Sequence, residues 1–393
     1  MFGWESKLHG AFERGARSEL FLVALFTIMG LAARVPGLGY ISGDMSIYLL
    51  PWYEQMASQG FGALAQQVGD YGIPYQTLMI LATYLPFSPV VSLKLISIAS
   101  DVLFAFSLGL LVVQLTDNRA HFTVAYAIAL LSPVAVVNSS VWGQCDALFT
   151  ALALLAVYYL LRDQPARAFV FLGLSFAFKL QAVFILPLFI FHYIVRARFS
   201  IAWFGVSALT FMVASFPGYL MGRSLLDPFA IYLSQTGTYP QLNVSYPSIW
   251  AFLGEVTCMM KPAIVIAFAV LFAGLVLLMR QSDRLVEKGD CVLVASWVSF
   301  TCVELLPSMH ERYAYLAVAL SIVVCFVDRR VIPIAGTMAV VDLLIYGRYL
   351  VGVPVDNVLI ATVVLTCWMA LTYLTFCGRR PREAASALDP AAR

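Results

Sequence analysis

Residues 262–280 read PAIVIAFAVLFAGLVLLMR, an apolar run closed by a single arginine. A helix needs about 20 such residues to cross the hydrocarbon layer of a bilayer, and no water-facing stripe interrupts this one. Comparable runs recur along the chain. Of its 393 residues 61% are hydrophobic and 12% charged, and the mean hydropathy is +0.86. A soluble domain carries about 25% charged residues to cover its surface. The composition therefore specifies an all-α polytopic membrane protein.

Apolar runs and turn signals place spans near 19–35, 92–114, 121–137, 146–161, 201–217, 262–280, 291–305, 313–327, 331–346 and 357–377. The stretch 168–195 suits a hairpin of two short spans turning at Lys179. The expected bundle has about 12 crossings, within a range of about 10–13, and both termini lie on one side. One transmembrane domain is expected over 1–378, with a cytoplasmic, disordered tail over 379–393.

Charge assigns the sides. Of the 24 Lys and Arg, 17 fall in the termini and short loops of one side, which the positive-inside rule makes cytoplasmic. The other seven are Arg34, Lys94, Lys179, Arg223, Lys261, Arg312 and Arg348. They lie in outer loops or within spans, where a Lys or Arg costs roughly 2.5–3.5 kcal/mol at mid-bilayer unless it faces a cavity or a partner. The first run lacks a small-residue cleavage site before Arg34 and Pro36, so it reads as a retained helix. Seven scattered cysteines suit packing rather than a disulfide framework or a metal site. A net charge of +2 points to no nucleic-acid partner.

The long loops, 36–91 and 218–261, are both on the non-cytoplasmic side, and the polar residues gather there. Asp44 follows the first run. It suits a general base beside an apolar cavity, or simply the N-cap of the helix that follows. Asp70, between Gly69 and Tyr71, shapes a turn or binds a sugar over an aromatic ring. Gln144 and Asp146 open a span in VWGQCDALF, where an acid also complements the helix dipole. Lys179 sits in an otherwise apolar run and calls for an anion, either a ligand or one of the intramembrane acids Asp101, Glu304 and Asp342. His310, Glu311 and Arg312 are consecutive at an outer mouth; the arginine fork grips phosphate, although three polar residues can also be a plain solvated loop. Trp52, Tyr53, Tyr71, Trp142 and Tyr246 are candidate sugar or acceptor contacts, or members of an interfacial aromatic belt. Nucleotide-binding loops, an HExxH pair and a GxSxG elbow are absent, so an activated substrate is expected through the membrane.

In order along residues 20–330, GDMSIYLLPWYEQM, DYGIPY, VWGQCDAL, FKLQAVFILP and MHERYAYLAVAL resemble the GT-C superfamily of integral-membrane glycosyltransferases. The likeness is to bacterial relatives of the second GPI-anchor mannosyltransferase and of the asparagine-linked-glycan glucosyltransferases. It implies a GT-C-like bundle with short juxtamembrane helices in the first outer loop. It also implies transfer of a monosaccharide from a polyprenyl-phosphate carrier to a hydroxyl of a glycan or lipid-linked acceptor, usually with inversion. The family's base falls on Asp44. The carrier phosphate falls to Arg312 and His310, with Lys179 as a further cation, while Asp70, Gln144, Asp146 and Glu311 join the aromatic residues as sugar or acceptor contacts. Many members pair two acids in that loop, whereas Met45 follows Asp44 here. No cofactor is required; a divalent metal is permitted by the carboxylates but not indicated. The expected setting is a bacterial inner or plasma membrane, with the site facing the periplasm or exterior. The alternatives are a secondary transporter or lipid-carrier flippase relaying charge through Lys179, Asp101 and Asp342, and a non-catalytic assembly subunit.

Overall fold

The computed structural model describes residues 18–235, 240–254 and 256–378, so the expected tail at 379–393 lies outside the described residues. Every regular element among the described residues is helical. Helix α1 (Glu19–Arg34) leads into a layer of short pieces: a π-helical turn Met45–Leu49, α2 (Leu50–Gln59) and α3 (Ile73–Ala82). The long α4 (Pro89–Thr116) is followed by α5 (Ala120–Leu131), which bends by 46° at Pro133 into a segment ending at Trp142. Then come α6 (Asp146–Leu160), α7 (Pro165–Phe178), α8 (Leu186–Arg196), α9 (Ala202–Ala214) and the small α10 (Asp227–Gln235). The chain closes with α11 (Met260–Arg280), α12 (Lys288–Leu305), α13 (Tyr315–Cys325), α14 (Ile332–Val351) and α15 (Asn357–Phe376).

The starts of these helices follow from their residues. Proline, whose missing N–H costs nothing in the first turn, opens α3, α4, α7 and α14. Asp356 caps α15 by accepting from the amides of Val358 and Leu359 at 2.9 and 3.1 Å. Within the helices, hydroxyls turn back on the carbonyl one turn earlier, as Ser100 does on Ile96 and Ser107 on Leu103, both at 2.7 Å. Those hydroxyls are satisfied within their own helix.

Among the described residues five stretches are long and apolar enough to cross a membrane: Glu19–Gly37, Pro89–Thr116, Thr257–Arg280, Arg329–Val351 and Asn357–Phe376. The bent pair ending at Trp142 makes a sixth. Helices α6 to α9 and α13 run only 11 to 15 residues. At 1.5 Å per residue they reach roughly 16–22 Å, short of a hydrocarbon core about 30 Å thick. The physical reason is enclosure. Helices α6, α12 and α13 are buried almost throughout by other helices, and such a helix is as apolar as one facing lipid. A hydropathy pattern cannot separate the two cases. Lipid-type exposure falls on α1, α9, α11, α14 and α15, through Leu20, Ile28, Val213, Phe268, Val340 and Met369 among others.

Helix α4 packs against α5 and α6, α6 against α7, α7 against α9, and α12 against α13. A second apolar cluster ties the first long loop down: Met45, Leu49, Met56, Leu64 and Ile73 pack with Leu148 of α6, Ala177 of α7 and Tyr232 of α10. All seven cysteines are free.

Two buried cations pin the end of α1. Arg34 Nε donates to Asp101 Oδ2 at 2.8 Å, and its Nη1 donates to the carbonyls of Gly30 and Leu130 at 2.7 and 2.9 Å. Lys94 Nζ donates to the carbonyls of Gly37 and Tyr40 at 2.8 and 2.5 Å, which sets the path of the chain toward Asp44. Asp101→Ala leaves Arg34, 1% exposed, as a charge without its counter-ion. The expected cost is about 3–5 kcal/mol, read as a fall in melting temperature in detergent. The double change Arg34→Met, Asp101→Leu should restore most of it.

Candidate active site

Six chain segments meet at one end of the bundle. The connections at 117–119, 161–164, 197–201, 281–287 and 326–331 lie at the other helix ends. Asp44 arrives just before the Met45 π-turn, and Trp142 ends a second π-helical stretch, Val137–Trp142. Such widened, under-wound turns re-aim side chains and recur at functional sites. Gly143 then turns the chain at φ +83°; a Cβ there would stand 2.5 Å from Met45 Cε, so glycine lets the two turns touch.

Asp44 does not cap its helix. Ser42 takes that role, its Oγ accepting from the Met45 amide at 3.2 Å, which frees the Asp44 carboxylate to face the cluster. Asp44 Oδ2 accepts from Trp142 Nε1 and Gln144 Nε2, each at 2.9 Å, and Oδ1 accepts from the Tyr349 hydroxyl at 2.5 Å. Arg312 Nη1 lies 3.8 Å from Asp44 Oδ2. Both side chains keep an opening to the outside, 14% exposed for Asp44 and 17% for Arg312.

Arg312 is shared among three acids. It donates to Glu311 Oε1 at 2.8 Å, stands 3.7 Å from Asp146 Oδ2, and rests 5.4 Å above the Trp142 ring. Its Nε–H has no hydrogen-bond partner among the described residues. A buried guanidinium donor without an acceptor is an invitation to an anion. His310 stands behind Glu311, with Nδ1 3.7 Å from Oε2 and its ring 5.1 Å from Tyr313.

Burial works to raise the Glu311 carboxyl, but the His310 ring beside it and the Arg312 charge outweigh it and hold it at about 2. The stability this group contributes is therefore complete above about pH 4.5 and is lost as the pH falls toward about 2. Glu311→Gln should flatten that acid limb in a plot of melting temperature against pH.

Lys179 lies where α7 breaks. Its backbone is extended at φ −156° and ψ 136°, at the turn expected for the hairpin. Its partner is none of the three intramembrane acids weighed from the sequence. Lys179 Nζ bonds Asp146 Oδ1, Asp101 is held by Arg34, and the Asp342 oxygens have no hydrogen-bond partner among the described residues. Asp146 also accepts from Asn138 Nδ2 at 2.9 Å, which fixes it as the hinge between Lys179 and Arg312.

The other candidates divide. The Tyr71 hydroxyl donates to Gln144 Oε1 at 3.1 Å and so joins the network one step behind Asp44. Trp52 stands edge-on to Tyr71 at 6.1 Å and covers Gly69, where a Cβ would fall 2.4 Å from its ring. Tyr53 is buried under the loop, its hydroxyl toward the Ala82 carbonyl. Tyr246 is wholly buried behind the 306–314 loop, its amide donating to the Met309 carbonyl at 3.1 Å. Asp70 lines a separate cleft of about 370 Å³ with Gln67, Arg223, Asp227 and Gln235. Tyr349 and Asn138 were not singled out from the sequence. Both lie at the same end of the bundle as Asp44, but nothing in their spacing points to Asp44 or Asp146.

Compared with known families, residues 71–303 match the model of glycosyltransferase family 87. The chain belongs to that family. The protein is thus a glycosyltransferase of the membrane-embedded kind its apolar helices suit. Among curated proteins no match is found. The family 87 match takes in Tyr71, Gln144, Asp146 and Lys179, whereas Asp44, His310–Arg312 and Tyr349 lie outside it and enter the site by geometry. Among the described residues no three His, Cys, Asp or Glu side chains gather as a metal site would need.

Proposed function

We propose that this family 87 glycosyltransferase takes its monosaccharide from a polyprenyl-phosphate carrier and passes it to a hydroxyl of a glycan or lipid-linked acceptor, with inversion. The supporting observation is a carboxylate and a guanidinium 3.8 Å apart at the partly open end of an apolar bundle. A soluble sugar nucleotide would not need a site rooted among spans; a lipid carrier reaches one sideways between helices.

In this scheme Asp44 takes the proton of the acceptor hydroxyl as its oxygen attacks the anomeric carbon. The bond from that carbon to the carrier oxygen breaks, and its electron pair leaves on the phosphate. Arg312, whose Nε–H has no hydrogen-bond partner among the described residues, and His310 stand where that negative charge develops. Lys179 adds its charge from behind Asp146. Gln144 and Tyr71 hold the base in orientation, and Trp52 offers a ring face to sugar. The scheme uses no metal.

The sidedness follows the charges. Arg119, Arg162, Arg167, Arg196, Arg198, Arg280, Arg284, Lys288, Arg329 and Arg330 mark the helix ends away from the site. The positive-inside rule makes those ends cytoplasmic and the site periplasmic or extracellular. In this reading α12 and the short helices α6 to α9 and α13 count with the six longer stretches toward the bundle of about 12 segments expected of a GT-C-like fold.

The test uses purified protein in detergent with polyprenyl-phosphate mannose or glucose and a panel of glycan acceptors. A new glycosidic product of inverted configuration is expected. Movement of the carrier across vesicles without any covalent product would favour the flippase alternative instead.

A further inference from the structure

The two oxygens of Asp44 are held in different ways. Oδ2 faces a fixed wall: Trp142 and Gln144, 0% and 2% exposed, each donate to it at 2.9 Å, and Arg312 adds its charge. Two donors fill the in-plane positions of that oxygen, so an acceptor hydroxyl finds no room there. Oδ1 has one hydrogen-bond donor among the described residues, the Tyr349 hydroxyl at 2.5 Å. Tyr349 is 44% exposed and lies on the solvent side of Trp142, rings nearly parallel at 26° with centroids 4.8 Å apart. It belongs to the last turn of α14, which ends at Val351 before Gly352 at φ +72°. Little is packed outside it.

We propose that Tyr349 is a gate on the base: its phenol holds Oδ1, the one Asp44 oxygen with room for an acceptor hydroxyl, and gives way as the acceptor binds. The exchange replaces one O–H···O⁻ hydrogen bond by another of the same kind, so it costs little. While no acceptor is bound, the phenol keeps Oδ1 from activating water and the donor sugar from being hydrolysed. Tyr349 touches the base rather than the reacting atoms, so it is a positioning residue. The inference rests on Asp44 being the base of the reaction proposed above.

Tyr349→Phe removes the hydroxyl and keeps the stacked ring. The first readout needs no substrate: purified full-length protein is labelled with a water-soluble carbodiimide and glycinamide, and modification of Asp44 is followed by mass spectrometry across pH. With the phenol gone from Oδ1, Asp44 should label several-fold faster than in the parent protein. Asp70, exposed and in its own cleft, should label as before. An unchanged Asp44 rate, or an equal rise at Asp70, overturns the gate. The second readout is release of free sugar from polyprenyl-phosphate mannose or glucose without acceptor, which should rise several-fold in the variant. In an enzyme that transfers sugar, a labelling shift with unchanged hydrolysis also overturns it. A labelling shift with no sugar chemistry in either protein supports Tyr349 as the cap on Asp44 and sinks the carrier assignment.

Discussion

Asp44→Asn should lower sugar transfer by about 10²–10⁴-fold, the range that a positioned general base supplies. The substitution is close to isosteric, and the site can accept it. The amide oxygen can take the Trp142 and Gln144 donors that now meet Oδ2, while the amide NH₂ can donate to the Tyr349 oxygen that now donates to Oδ1. Folding should therefore survive, and circular dichroism melting should stay near that of the parent protein. What disappears is the lone pair that receives the proton. Near-normal turnover in this variant would remove Asp44 from the chemistry.

Arg312→Ala carries the second large effect. The guanidinium is the common neighbour of Asp44, Asp146 and Glu311, at 3.8, 3.7 and 2.8 Å. Without it, the developing charge on the departing phosphate loses its nearest fixed cation, and a loss of about 10²–10³-fold in kcat is expected. Arg312→Lys keeps the charge but loses the planar fork, so it should recover only part of the rate. Stability separates function from scaffold. If both variants lose folded yield in proportion to activity, Arg312 serves the bundle rather than the reaction.

The ends of the helices, the one-sided polar cluster and the break at Lys179 could be read from the chain because proline, charge and apolar runs act locally. Pairings across the bundle could not. Lys179 meets Asp146, 33 residues away across the α6–α7 hairpin, because the break lifts the lysine to the start of α6; three acids inside spans looked equally good as partners. Tyr349 is 305 positions from Asp44, and a tyrosine near a membrane surface has an ordinary explanation in the aromatic belt. Asp44 read from the chain as either a base or a helix cap, and only the folded backbone puts Ser42 in the capping role. The number of full crossings stayed out of reach for a different reason: an apolar face packed on protein looks the same in sequence as one facing lipid.

The grip of Arg34 on Asp101 has a consequence for biogenesis. Its partner lies 67 residues downstream, and the carbonyl of Leu130, which also holds it, is made later still. While the ribosome is still making the loop, the first helix carries a guanidinium that lipid will not accept. It must stay at the insertion machinery until α4 and α5 emerge, so the opening third of the protein enters the bilayer as one unit.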